Sequence, residues 1–283
     1  MTIAEASQIE QDFMDTSSPT EDQEFLYTEA LGFLIEETKN PKYMYNLGWH
    51  YCTKKRFDLE IKYLEMAAEY NFGPALEELG YMWYYGQHGE KDYKKAFEYF
   101  SRGADIAHEE YPRSLWCKYK LADMYHNGYA VEKDEKRYRK IIEEAYEEVK
   151  DPQYLNEPFP EIAWRYAGIL AGDGDKDKAY SLLEQAKSFL AERISLESFW
   201  GYIDTMGRIV NNMYELKPLN KDMFNFYDLF FLANEPGIWE FTYNGKTYRI
   251  EATDDEDRAI RFEGRYYRDF SELCQKAAID GER

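Results

Sequence analysis

Metal, proton and nucleophile chemistry each need certain side chains at certain spacings, and this chain of 283 residues offers few of them. Its four histidines, His50, His88, His108 and His126, share no metal-ligand spacing. A zinc site needs three or four converging ligands. His50 and Cys52 stand two apart, so on a helix they face different ways. The three cysteines, Cys52, Cys117 and Cys274, are odd in number and far apart. They fit neither a disulfide framework nor a metal knuckle, and they suit a reducing compartment. Asp123 and His126, at i and i+3, could touch on a helix, as a general acid–base pair must; a local hydrogen bond on a solvated face is the plainer reading. "GDGD" at Gly172 and "DDED" at Asp254 raise calcium. The stretch "DGDKDKAYSLLE" from Asp173 ends in Glu184 as an EF-hand loop would, yet Lys178 stands where the sharp turn needs glycine. A loop between two repeat helices accounts for it better. There is no phosphate loop, dinucleotide fingerprint or nucleophile elbow. Neither a metal nor a cofactor is expected.

Charge narrows the partners. A net charge of −20 opposes binding to nucleic-acid backbone and to anionic membrane. No run of 18 or more apolar residues occurs, so no transmembrane helix is expected. The N-terminus lacks the basic and apolar regions of a secretory signal. The expected location is the cytoplasm. From Met1 through Thr38 there are ten Asp or Glu and no Lys or Arg. Residues 1–22 read as an acidic disordered leader. It is either a solvated tail or an arm that contacts a basic partner or folds over a groove of the chain itself.

The elements that must position these residues repeat. Glu24–Glu37 reads as a first amphipathic helix. After it come "YMYNLGWHY", "ALEELGYMWYYG", "CKYKLADMYHNG" and "IAWRYAGILAGDG". Each places a small residue, Gly48, Gly80, Ala122 or Ala167, after a bulky one, Leu47, Leu79, Leu121 or Tyr166. A large residue follows three later: Tyr51, Trp83, Tyr125, Leu170. Positions i, i+3 and i+4 share a helix face. A second helix follows each time, and "FDLEIKYLEMAAE" aligns with "DYKKAFEYFSRGAD" through Leu64 against Phe100. The unit is helix, loop, helix. One pair cannot bury its apolar face alone, so neighbours must stack.

Ala75, Leu79, Gly80, Gly86, Gly89, Asp92, Lys95, Ala96, Tyr99 and Ala104 form a pattern that resembles the Sel-one-like repeat family, relatives of the tetratricopeptide repeats. Trp83 stands where that family has Tyr. Leu121, Tyr125, Gly128, Val131, Lys133 and Asp134 resemble it too, with Ala122 for Gly and Arg137-Tyr138 for the Lys-Ala pair. The first repeat has a short tetratricopeptide-like turn, "CTKKRF", and the fourth keeps only "GDGDKDKAY". The resemblance covers about half the chain. It implies that first helices line a concave groove at positions three before, one after and four after the small residue. These are Tyr45, Trp49 and Cys52; Glu77, Tyr81 and Tyr84; Tyr119, Asp123 and His126; Trp164, Gly168 and Ala171. Aromatic anchors dominate interface energetics, and acids beside them favour a ligand carrying Lys or Arg. The plainer alternative is that these aromatics pack against neighbouring helices, since 27 Tyr is a general habit of this chain.

Helices are further expected over Ser195–Leu216 and Lys221–Ala233. The pattern then changes. Asn244-Gly245 signals a two-residue hairpin that pairs Phe241 with Tyr248, Trp239 with Ile250 and Glu240 with Arg249. A second hairpin pairs Ile260 with Tyr267 and Arg261 with Tyr266, and Phe270–Ala278 closes as a helix.

The expected fold is mainly α: an α/α superhelical solenoid of helix-pair repeats with a small C-terminal α+β module of two hairpins and a helix. The expected segments are 1–22 (leader), 23–233 (repeats) and 234–283 (module). The expected role is a scaffold or adaptor binding a protein or peptide, basic in character, on the concave surface, with Tyr45, Trp49, Glu77, Tyr81, Tyr84, Tyr119, Asp123, His126 and Trp164 as contact residues. The rival is a hydrolase-like enzyme with its site in the solenoid cleft or at the C-terminal module.

Overall fold

The structure, a computed structural model, describes residues 1–107, 111–153, 155–196, 200–217, 237–243, 245–253 and 260–268, with 272, 273 and 276. Among them are eleven helices and four strands. The chain divides into two compact units, Met1–Ala145 and Tyr146–Arg283.

The first unit carries α1 (Ile3–Met14), α2 (Glu21–Thr38), α3 (Pro41–Thr53), α4 (Phe57–Ala68), α5 (Gly73–Tyr85), α6 (Tyr93–Ala104) and α7 (Ser114–Asn127). Helix α8 (Glu135–Val149) spans the division. Consecutive helices from α1 to α7 pack on one another, and α5 also meets α7. The core holds Leu47, Leu64, Leu76, Leu79, Met82 and Phe100, all essentially inaccessible.

The small residue of each repeat is a packing requirement. A Cβ on Gly80 would lie 2.5 Å from the Phe100 ring, and one on Gly48 would lie 3.2 Å from Leu64. Leu64 and Phe100 occupy the same repeat position, so the aligned pairs do the same work. Ala122 and Ala167 are buried at the equivalent places. A second device recurs in all four repeats. The last turn of a helix has carbonyls without intrahelical donors. The residue that starts each second helix supplies one: Arg56 to Tyr51, Asp92 to Trp83, Asp134 to Tyr125 and Asp175 to Leu170, at 2.9–3.0 Å. Those acceptors are the large residues that the repeat alignment picks out. Asp92 also caps α6 by accepting from the Lys94 and Lys95 amides, and Asp134 caps α8 likewise at Lys136 and Arg137. Gly86 and Gly128 end α5 and α7 in the left-handed region, at φ 69° and 73°.

The expectation of a disordered stretch over residues 1–22 is corrected. Thr2 and Glu5 form a reciprocal capping box that starts α1, and Thr20 with Gln23 does the same for α2. Ala6 is buried against Ala30 and Leu34, and Phe13 stacks on Tyr27 at 3.9 Å. The acids hide this helix from a composition argument: Glu5 and Asp12 are exposed, while Glu10 is buried and meets Asn46 and Lys42, and Ala6 and Phe13 pack on α2.

In the second unit α9 (Phe159–Gly172), α10 (Lys176–Leu196) and α11 (Trp200–Leu216) pack mutually. Arg193 pairs with Glu161 at 3.0 Å and donates to the Leu155 and Glu157 carbonyls, tying the segment before α9 to α10. Strands β1 (Gly237–Tyr243), β2 (Lys246–Ala252), β3 (Ile260–Phe262) and β4 (Arg265–Tyr267) form one antiparallel sheet in chain order. Both expected hairpin registers are present, including Trp239 opposite Ile250 and Ile260 opposite Tyr267. The sheet also joins the hairpins through β2 and β3. Tyr248, Ile250, Ile260, Phe262 and Tyr267 alternate onto one buried face. The expected helix over Lys221–Ala233 lies outside the described residues, as does most of the one over Phe270–Ala278. The joint expected at residue 234 lies outside them as well.

Candidate functional site

Within the first unit the first helices of successive repeats are α3, α5 and α7. Tyr45, Trp49 and Cys52 lie at i, i+4 and i+7 on α3 and share a face. Tyr45 is half-buried with its ring edge on Phe72. Trp49 is 52% exposed. Burial, then a hydrogen bond to Glu60 and the charges of Glu60 and Glu78, push the Cys52 thiol up to about 11. Burial raises the Cys117 thiol as well. An activated cysteine needs the opposite shift.

The residues of α5 and α7 separate into pairs that the sequence does not display. Glu77 is buried, 6% exposed, and both of its oxygens bind Arg113. The Tyr111 hydroxyl donates to it too. Glu77 is therefore neutralised from within. The acid that faces outward is its neighbour Glu78, which is half-buried. Burial first, then Glu77 and Glu60, push its carboxyl up to about 7, with Arg113 opposing.

Tyr81 and Tyr84 are packed residues. Tyr81 sets its edge on Phe100 at 5.3 Å, and its hydroxyl lies 3.0 Å from that of Tyr119. Tyr84 touches Phe100, Tyr93 and Tyr129. Burial raises both hydroxyls far above the usual tyrosine range. Between them sits Lys120, 8% exposed. Its ammonium lies 4.8, 4.9, 5.5 and 5.6 Å from the ring centres of Tyr84, Tyr85, Tyr119 and Tyr81. It donates to the Tyr85 hydroxyl at 2.7 Å. A cation over tyrosine faces is attracted by the ring quadrupole, so this aromatic cluster already holds one of the chain's own.

Tyr119 is buried, and Asp123 is half-buried. His126 is exposed and meets Glu135, Nδ1 to Oε2, at 3.1 Å, and the Tyr138 ring. The Asp123–His126 pair of the enzyme alternative is not assembled; Glu135, on the following helix, takes the imidazole instead. Trp164 belongs to the second unit, where Arg165 stacks on it at 4.3 Å. Gly168 is exposed and Ala171 half-buried on the same helix. Asp175 of the "GDGD" loop directly precedes α10, accepts the Ala179 N–H at its backbone carbonyl and pairs with Lys178. Among the described residues, one cleft of about 590 Å³ lies beside Trp83, His88 and Tyr93, and another of about 530 Å³ lies between Phe159, Glu184 and Phe189. Neither includes Tyr45, Trp49 or Glu78. Among the described residues no group of three His, Cys, Asp or Glu is placed to hold a metal, and no helix is long and apolar enough to cross a membrane.

A Sel1 repeat protein from Oxalobacter formigenes superposes with a TM-score of 0.56, over 77% of this chain and 82% of its own, at 17% identity. The fold is that of a Sel-one-like repeat protein. The repeat motif read at Ala75–Ala104 and this superposition agree on it. Pseudomonas aeruginosa PilF covers 82% of the chain and 97% of itself at 14% identity, with a TM-score of 0.44. No family model and no curated protein matches the sequence. Sel-one-like repeat geometry also shows what motif positions miss. Glu78, Lys120, Tyr85 and Arg113 all fall outside the lining positions, and Lys120 and Glu78 share one place in the repeat, two residues before the small residue.

Proposed function

We propose that the protein is a non-catalytic cytoplasmic scaffold that takes a basic peptide or protein segment on the α3–α5 face. The observation that carries this reading is Trp49, a large aromatic left half in water on the α3 face that also carries Tyr45 and Cys52, two groups on which the Glu78 charge acts. An exposed Trp can anchor an interface. Acid at its side favours Lys or Arg in the ligand. Tyr81 and Tyr84 support the surface from beneath, so they are unsuitable as probes of binding.

The test is a pull-down from the native organism with full-length wild type, Trp49→Ala and Tyr84→Ala, each followed by a melting curve. Trp49→Ala is expected to lose the partner and keep its melting temperature. Tyr84→Ala is expected to lose stability, by about 3 kcal/mol, through the cavity left against Phe100. A partner recovered equally well by Trp49→Ala would end the reading.

A further inference from the structure

The turn from α5 into α6 and the turn from α7 into α8 are equivalent parts of successive repeats, yet they treat their cations differently. In the later turn the chain supplies the acceptors. Lys133 pairs with Glu135 at 3.0 Å. Arg137 pairs with Asp134 at 3.6 Å and donates to the Tyr125 hydroxyl at 2.8 Å. In the earlier turn the matching cations are Lys91 and Lys95, but Tyr93 stands in place of Glu135 and Trp83 in place of Tyr125. Both replacements remove an acceptor. An indole donates and does not accept, so Lys95 lies on the face of Trp83 instead, 3.8 Å from the ring centre. The Trp83 Nε1 is buried and has no hydrogen-bond partner among the described residues. Lys91 and Lys94 make no ion pair among those residues.

The surface is hollow at this place. The cleft of about 590 Å³ is lined by Trp83, His88, Lys91, Tyr93, Lys94 and Ala130, a volume in the range of small-ligand sites. Its walls are held from behind. Tyr93 stacks on Tyr129 at 4.4 Å. His88 stacks on Phe57 at 3.8 Å, with its Nε2 3.0 Å from Glu60. Of the two acids at the cleft, Asp92 is committed to the Lys94 and Lys95 amides. Glu90 is exposed and joined to neither lysine. The groups around the cleft are thus mostly donors and cations, and the acceptors that the later turn carries are missing.

We propose that this cleft binds a carboxylate of an acidic peptide segment, held between the Lys91 and Lys94 ammonium groups against the Trp83 and Tyr93 rings. The carboxylate takes the place that Glu135 fills beside Lys133 in the next repeat. The site is distinct from the α3–α5 face and does not rest on the reading given for it. The net charge of −20 opposes an anionic partner at long range. Within a Debye length of about 8 Å, three lysines against the single uncommitted carboxylate of Glu90 set the local field.

The probe is the blocked pentapeptide AEEEA, with AQQQA as its neutral counterpart, titrated at about pH 7 into the full chain labelled at its tryptophan nitrogens. The glutamate peptide is expected to shift the Trp83 indole N–H resonance, and the glutamine peptide to leave it in place. Lys91→Gln combined with Lys94→Gln is expected to weaken the glutamate peptide about tenfold with an unchanged melting temperature, because both side chains are exposed. Tyr93→Glu, which installs the acid of the later turn, is expected to weaken it as much. That variant also gives up the contact with Tyr129, so the lysine pair decides the matter. Equal shifts by the two peptides, no shift with AEEEA, or an unchanged affinity in the double lysine variant overturns the site. Inorganic phosphate that displaces the peptide at equal or lower concentration overturns the peptide assignment and gives the cleft to a free anion.

Discussion

Glu77 and Glu78 are chemically identical and adjacent, yet they do opposite things. Successive helix residues point about 100° apart. Glu77 turns into the interface with Arg113 and Tyr111, while Glu78 turns toward α3. The consequence for stability has a definite sign. Glu78 titrates at about 7 folded against 4.5 in its ordinary state. The folded chain then holds more protons than the unfolded one between those values, so stability is full below about pH 4.5 and falls as pH rises to 7. Replacing Glu78 with Gln removes the penalty. The variant is expected to melt higher than wild type at about pH 8, by on the order of 2 kcal/mol, and to show no advantage near pH 4.5. A variant less stable than wild type at both values would mean that the carboxylate has a structural partner.

Within a helix pair, distance of approach is set by one small residue, and the two glycines differ in how much room they leave. The atom that would meet a Gly80 Cβ is on the fully buried Phe100 ring at 2.5 Å, whereas a Gly48 Cβ would lie 3.2–3.3 Å from the Leu64 side chain and the Glu60 carbonyl, so that those neighbours need give only a few tenths of an ångström. Gly80→Ala is expected to cost about 2 kcal/mol through overpacking. Gly48→Ala is expected to come out near neutral, because a helical glycine gains from gaining a Cβ. Urea melts of both variants test this; equal effects would show that the helix pairs adjust to a methyl group without strain. The pairing rule, helix to loop to helix, was legible from spacing alone. So were both hairpin registers, since the turn residues and the alternation of apolar side chains leave one register with a consistent face. The join of β2 to β3 was not legible, because nothing local specifies it.

At the scale of the molecule, the repeat stack begins earlier than its motifs. Helix α1 lays Phe13 on Tyr27 and near His50, and Glu10 meets Lys42 and Asn46. Removing residues 1–20 is expected to lower the melting temperature by several degrees, as Tyr27, Ala30 and Leu34 lose their cover; unchanged melting would mean that α1 adds nothing. This contact also responds to acid. Burial, then Lys54, lowers the His50 pKa below its usual 6.5, with Glu24 opposing. The unfolded state then binds the proton more readily, so packing of α1 is fully supported above about pH 6.5 and weakens below it. Protection factors in α1, corrected for the intrinsic pH dependence of exchange, are expected to fall between about pH 7 and 5, and to stop depending on pH in His50→Phe. By itself the sequence determined the helix pairs, their small-residue contacts and the hairpin registers, because periodicity and turn stereochemistry act over a few residues. Which aromatics and acids remain available was decided only by the tertiary structure. Lys120 enters the tyrosine cluster and Arg113 takes Glu77 from 35 and 36 residues away. No local pattern carries that information; it exists only once α3, α5 and α7 have stacked.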